Sequence, residues 1–239
     1  MKRLSFSGNS FALPALPVIL CVVLIVLAGC NNDSANNQGR PLVCLGDSLT
    51  AGFGATTPGR DDKSKSYPAY LQNKVNIPVI NAGVSGDTTA QGLARVDSGV
   101  LSHKPQIVII CLGGNDFRLQ NPAATIKENL QKIINKVNNG SRVIYLAKFY
   151  TDAMIRDLCN MYGITDAAAQ TVIISQLDNV FTTLASENNV ILIDNIWNGV
   201  WGIHMSDIIH PDARGYEIMA NNIFNVIQPY LQANDLLKY

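Results

Sequence analysis

The chain carries only three histidines in 239 residues, and none is paired at the HExxH spacing that builds a helical metal site, so no metal is expected. Its basic residues form no cluster, which removes the electrostatic footing that nucleic acid binding needs. A glycine pattern begins at Gly52 and Gly54, but position 57 is threonine and no Gly-Lys-Ser/Thr follows. A phosphate-cradling loop is therefore excluded, and with it the expectation of a nucleotide cofactor. Five cysteines are present; Cys21 and Cys30 fall in the N-terminal region, leaving Cys44, Cys111 and Cys159. An odd number argues against a complete disulfide framework, and the apolar runs around Cys44 and Cys111 predict buried free thiols. Internal repeats and linkers are also missing from the region beyond residue 41.

What is present is the composition of a globular chain, 47% hydrophobic and 15% charged, enough for one sizeable core. The N-terminus stands apart. Lys2 and Arg3 precede an uncharged apolar stretch from Phe11 to Gly29 that ends Leu27-Ala28-Gly29-Cys30. A basic start, an apolar middle and small residues before a cut have the shape of a secretory signal. The ending resembles the bacterial lipoprotein processing site, which implies a signal peptide over 1–29 and Cys30 as a lipidated mature N-terminus. An uncleaved membrane anchor, just short of the ~20 residues a span needs, and plain secretion are the alternatives. All three put the folded part outside the cytoplasm. Residues 30–41 then read as a polar tether and 42–239 as the domain; without Lys2 and Arg3 the chain keeps 16 basic against 18 acidic residues.

Within the domain, short apolar runs rich in β-branched residues occur at 41–45, 77–81, 106–112, 142–147 and 189–194. They are continuous rather than alternating, as expected of strands covered on both faces of a parallel sheet. Between them, helices are predicted over 67–76, 88–102, 122–138, 166–187 and 211–231, with Thr88, Pro122, Asp166 and Pro211 as opening signals. Five strand-helix units predict a three-layer α/β/α domain with a five-stranded parallel sheet and right-handed crossovers.

Open sheets of this kind bind ligands beyond the carboxyl ends of their strands. The residues there are Gly46-Asp47-Ser48 after the first run, 81–89 after the second, Gly113-Gly114-Asn115-Asp116 after the third, and 206–212 beyond the fifth. They hold what acyl transfer requires. A serine hydroxyl needs a histidine to take its proton, and the histidine needs a carboxylate to fix its tautomer. Ser48, His210 and Asp207 can fill those roles, the last two offset by three residues on one turn. A tetrahedral oxyanion needs preorganised donors, for which Gly86 and Asn115 are candidates.

Four ordered stretches, GDSLTAG, NAGVSGDTT, GGND and DIIHP, resemble the sequence blocks of the GDSL, or SGNH, hydrolase superfamily, and most closely its small bacterial esterases of the thioesterase and lysophospholipase type. The resemblance runs over about 42–228. It implies a flavodoxin-like fold, a serine esterase activity on carboxylic esters without a cofactor, and roles residue by residue. Ser48 would be nucleophile and oxyanion donor, Gly86 a second backbone donor, Asn115 a side-chain donor, His210 the general base and Asp207 its partner.

Each residue also has an ordinary reading. Ser48 can cap a helix, Gly86 can supply a positive φ, Asn115 can close an Asx turn, and Asp207 can form a turn. Asp47 is expected to brace the turn, Asp116 to make local hydrogen bonds, and Asp194 rivals Asp207 as the triad acid. Trp197, Trp201 and His204 are either pocket walls or packing residues. Tyr150, Met154 and Ile155, in a segment 148–165 that departs from the family's usual Pro- or Gly-rich stretch, suggest an apolar wall for a modest acyl chain. Ala51, Gly52 and Gly54 are expected to keep bulk away from the approaching acyl group. Acyl transfer to a sugar or lipid alcohol uses the same motifs as hydrolysis, and an inactive surface binding protein with this fold is a reading of a different class.

Overall fold

The computed structural model describes residues 39–238. The expected signal peptide, Cys30 and most of the tether lie outside the described residues. Five strands form one parallel sheet: β1 (Leu42–Gly46), β2 (Val79–Gly83), β3 (Ile107–Cys111), β4 (Val143–Ala147) and β5 (Ile191–Ile193), in the order β2-β1-β3-β4-β5. Every residue of β1 and β3 is buried, which accounts for their unbroken apolar sequence. The register sets Gly46 beside both Gly83 and Cys111, so the first three strands end level with one another.

Helices cover both faces. After β1 come α1 (Ser48–Ala51) and α2 (Tyr67–Gln72); after β2 come α3 (Thr89–Ala94) and α4 (Val96–Gly99). After β3 come α5 (Gly114–Arg118) and α6 (Ala123–Val137); after β4, α7 (Asp152–Met161) and α8 (Ala167–Asn188); after β5, α9 (Ala213–Ala233). Helix α2 packs on α9, while α6 packs on α3 and α8. Strand order reverses direction at β1, and right-handed crossovers then send the β1–β2 connection to one face and the later ones to the other. Helix α6 shows the underlying pattern, burying Ile126, Leu130, Ile133, Ile134 and Val137 along a single stripe.

Three segments differ from expectation. The helix predicted over 88–102 is broken into α3, α4 and a 3-10 turn at Leu101–His103. Its opening is as expected, with Thr88 and Gln91 closing a capping box, but the first helix stops at Arg95, whose side chain is engaged with the sheet. The segment after β4 contains α7, capped by Thr151, where no helix was read. Helix α9 is capped by Asp212, one residue beyond the predicted Pro211. Cys44 and Cys111 are free and buried, as expected of packing residues, and Cys159 is free and buried on α7 as well.

Candidate active site

The switch in strand direction at β1 opens a crevice at the ends of β1 and β3. Asp47 caps α1 by accepting the Leu49 backbone N–H at 3.0 Å. That leaves Ser48, the first helical residue, without a capping duty, and its hydroxyl lies 2.9 Å from His210 Nε2.

His210 comes from the loop between β5 and α9, which is pinned onto itself. Met205 pairs with Pro211, Ser206 N–H donates to the His210 carbonyl at 2.8 Å, and Asp212 N–H to the His204 carbonyl at 3.1 Å. Gly54 makes room for this loop: a side chain there would meet Ser206 Oγ at 2.8 Å. The tight turn presents Asp207 to the imidazole, with Oδ2 at 2.8 Å and Oδ1 at 3.0 Å from Nδ1. Asp207 Oδ1 also accepts the backbone N–H groups of Ile209 and His210, at 2.9 and 2.8 Å. Burial acts against the charge of Asp207, yet those N–H groups and the imidazole hold its carboxyl below the usual carboxylate range. On its other side the His210 ring rests on Phe53, with centroids 4.5 Å apart. Tyr216 fixes Phe53 in turn by donating to its carbonyl at 2.9 Å.

Across the crevice, Gly86 has φ +89°, so its ordinary reading as a backbone position closed to side chains holds. Among the described residues no acceptor faces the backbone N–H of Gly86 or of Ser48. Asn115, at the start of α5, donates through Nδ2 to the Asp87 carbonyl at 3.0 Å and lies 3.5 Å from Asp47 Oδ2. Asp47 is buried, and burial, with Asp87 and Asp116 nearby adding like charge, pushes its carboxyl up to about 7 despite the opposing Leu49 N–H.

Arg95 organises this side of the crevice and was not singled out from the sequence. Its guanidinium donates to Asp87 Oδ2 at 2.5 Å, to the Ala82 carbonyl at 2.6 Å and to the Gly46 carbonyl at 2.7 Å. One side chain thus ties the ends of β1 and β2 to the loop that holds Asn115. Asp116 is buried and its bonds reach beyond the local ones expected of it: besides Asn121 Nδ2 at 3.3 Å, it accepts from Thr89 N–H and Thr89 Oγ1 on α3 at 2.7 and 2.8 Å.

A cavity of about 50 Å³ adjoins Ser48, Asn115 and His210, and Leu49, Phe117, Phe149, Met154 and Leu158 make its walls apolar. Met154 is placed as expected. Tyr150 and Ile155 are not on the wall: both are buried, and the Tyr150 hydroxyl donates to Asp178 at 2.9 Å. Trp197 and Trp201 are absent from the cavity as well, packing edge to face 5.8 Å apart. His204 lies away from it, 3.8 Å from Asp212, and Asp194 is exposed without contact to His210. Ala51, Gly52 and Gly54 do not border the cavity either; their smallness serves the packing of α1 and the His210 loop. Among the described residues no group of His, Cys, Asp and Glu is arranged to hold a metal ion.

Residues 44–218 match the GDSL-like lipase/acylhydrolase family. Esterase TesA of Pseudomonas aeruginosa is 27% identical over 221 residues, which cover 88% of this chain and 96% of that protein. A crystal structure of TesA superposes with a TM-score of 0.65 at 26% identity, covering 80% of this chain and 99% of the other. A Bacillus subtilis protein described as the uncharacterized lipoprotein YqeF is 32% identical over 102 residues, 41% of this chain and 40% of that one. The apolar cleft, the strand order and the match over most of the domain agree, and the chain belongs to the GDSL-like lipase/acylhydrolase family as a serine esterase.

Proposed function

We propose that the enzyme hydrolyses carboxylic esters through an acyl-enzyme on Ser48. The observation that carries this reading is the continuous chain from Ser48 Oγ to His210 Nε2, 2.9 Å, and from His210 Nδ1 to Asp207 Oδ2, 2.8 Å. Ser48 Oγ attacks the carbonyl carbon while its proton passes to His210 Nε2. The carbonyl oxygen becomes an oxyanion, held by the backbone N–H groups of Ser48 and Gly86 and by the Asn115 amide. When the intermediate collapses, the carbon-oxygen bond to the alcohol breaks and His210 returns the proton to the departing oxygen. Water then attacks the acyl-enzyme with His210 again as base, releasing the acid and restoring the Ser48 hydroxyl. Asp207 keeps the imidazole in the tautomer that leaves Nε2 free to accept.

The small apolar cavity beside Ser48 supports a modest acyl group as the part of the substrate held most closely, as in short-chain esters and acetylated sugars. Lysophospholipid belongs to the same reaction class. We further propose that residues 1–29 are a signal peptide, that Cys30 carries the lipid of a bacterial membrane lipoprotein, and that 30–41 tether the domain 42–239 outside the cytoplasm. The LAGC stretch supports this, as does the relative described as a lipoprotein.

Kinetics with short aryl esters test the proposal. Ser48→Ala is expected to lower kcat by ~10⁴ or more, the scale on which triads fail. Near-normal turnover in that variant would remove Ser48 as nucleophile. Added alcohol acceptors distinguish the outcome of the second half-reaction: free acid as main product supports hydrolysis, and a new ester would reassign the enzyme to acyl transfer.

A further inference from the structure

A second cavity of about 310 Å³, lined by residues of α6 and α8, shares part of its wall with the one beside Ser48. Phe117 and Tyr162 line both. Their rings, with centroids 6.5 Å apart and planes inclined at 52°, form the boundary between the two spaces. The near space of about 50 Å³ holds roughly four water-sized groups, and an acyl chain of about that many heavy atoms fills it. The far space is lined by Ile126, Ile164, Ile173 and Leu177 together with the amides of Gln120, Asn121 and Gln176, and by no charged side chain. Its volume is in the range of small-molecule sites, and its apolar side chains suit a hydrocarbon.

The reaction geometry aims one arm of the substrate at this boundary. The departing oxygen must sit at His210 Nε2 to receive its proton, and the carbonyl oxygen must face Asn115. Phe117, two residues beyond Asn115 on α5, lines the pocket at Ser48, so an acyl arm held in that pocket meets its ring. The boundary can yield on one side: Tyr162 is 39% exposed at the end of α7, and no hydrogen bond holds its hydroxyl among the described residues.

We propose that the cavity between α6 and α8 is a distal acyl site for linear chains longer than the near pocket holds, with Phe117 and Tyr162 as the partition that sets chain length. This rests on the reading of Ser48 as the acylated residue. The occupant is the distal part of the substrate's own hydrocarbon chain, because Phe117 and Tyr162, which wall the catalytic pocket, also wall this cavity.

The test is the ratio of kcat/KM for p-nitrophenyl octanoate to that for p-nitrophenyl acetate, in the wild type, Phe117→Ala and Ile173→Glu. A methylene transferred from water to an apolar site is worth about fourfold, so two or three of them amount to tenfold or more. Phe117→Ala opens the partition and is expected to raise the ratio about tenfold. Ile173→Glu places a charge on the distal wall and is expected to lower it about tenfold. Because the ratio cancels any loss of folded enzyme, a poorly folding variant remains informative, and the two variants must move it in opposite directions. A ratio that stays flat in both, or moves the same way in both, overturns the distal site. Acetate hydrolysis in Ser48→Ala separates the two levels: if it persists, the parent reading fails. If it is lost while the ratio stays flat, only the distal site fails.

Discussion

Arg95 grips the Asp87 carboxylate at 2.5 Å, and the carbonyl of the same aspartate accepts the Asn115 amide at 3.0 Å. The proposed oxyanion donor is therefore tied to Arg95 through Asp87. Arg95→Met is expected to lower kcat roughly 10²-fold, the scale of a 1 Å misplacement, with little change in KM. Arg95→Lys, which keeps the charge but not the three-way fork, should recover part of the loss. Equal effects on KM and kcat, or no rescue by lysine, would make Arg95 a packing residue only.

Asn115 itself is expected to act only as negative charge develops on the carbonyl oxygen. Asn115→Ala should reduce kcat by roughly 10² to 10³ while leaving KM close to the wild-type value. An unchanged kcat would take Asn115 out of the oxyanion hole.

Two carboxylates competed for the role of orienting His210, and the distances separate them. Asp207 touches Nδ1 at 2.8 Å, whereas Asp194 is exposed beyond β5. Asp207→Asn should cost on the order of 10⁴ in kcat because the imidazole loses its tautomer. Asp194→Asn should stay within about twofold. A larger loss in the second variant would reverse the assignment.

Asp47 gives stability a pH dependence whose sign is fixed by burial. Its carboxyl is raised from an ordinary 3.8 to about 7, so the folded protein holds this proton more tightly than the unfolded chain. This contribution to stability is full below about pH 4, declines as pH rises toward 7, and is flat above. Asp47→Asn keeps a good N-cap side chain and removes that slope. Relative to wild type, the asparagine variant should gain roughly 1 to 3 kcal/mol between pH 5 and pH 8, read from denaturant unfolding. The same difference at both values would contradict a protonated, buried Asp47.

The sheet was legible because β1 and β3 are buried on both faces, and unbroken runs such as Ile107–Cys111 carry that fact in one dimension. Ser48, Gly86 and Asn115 were legible because each follows closely on a strand end in a short polar or glycine-rich stretch, and Asp207 and His210 because they share one turn just before α9. Arg95 was not: in the sequence it sits in a helical pattern, and its meaning arises only when the ends of β1 and β2 come within reach of one guanidinium. Helix α7 was hidden in a stretch whose polar and apolar residues alternate irregularly, and with it the pocket role of Leu158 and Tyr162. Trp197 and Trp201 suit a pocket wall as readily as a core in the sequence, and tertiary packing puts them against each other. Phe117 follows the GGND stretch directly, and nothing local distinguishes a pocket wall there from an ordinary helix residue.

The central claim is that Ser48 is acylated during turnover. Intact-mass analysis after treatment with a small serine-directed phosphonate tests it most directly, with the Ser48→Ala variant alongside. The account predicts one adduct per chain, mapped to the peptide containing Ser48, with activity lost in step and no adduct in the variant. An active wild type that takes up no phosphonate, or an adduct that persists in Ser48→Ala, would contradict it.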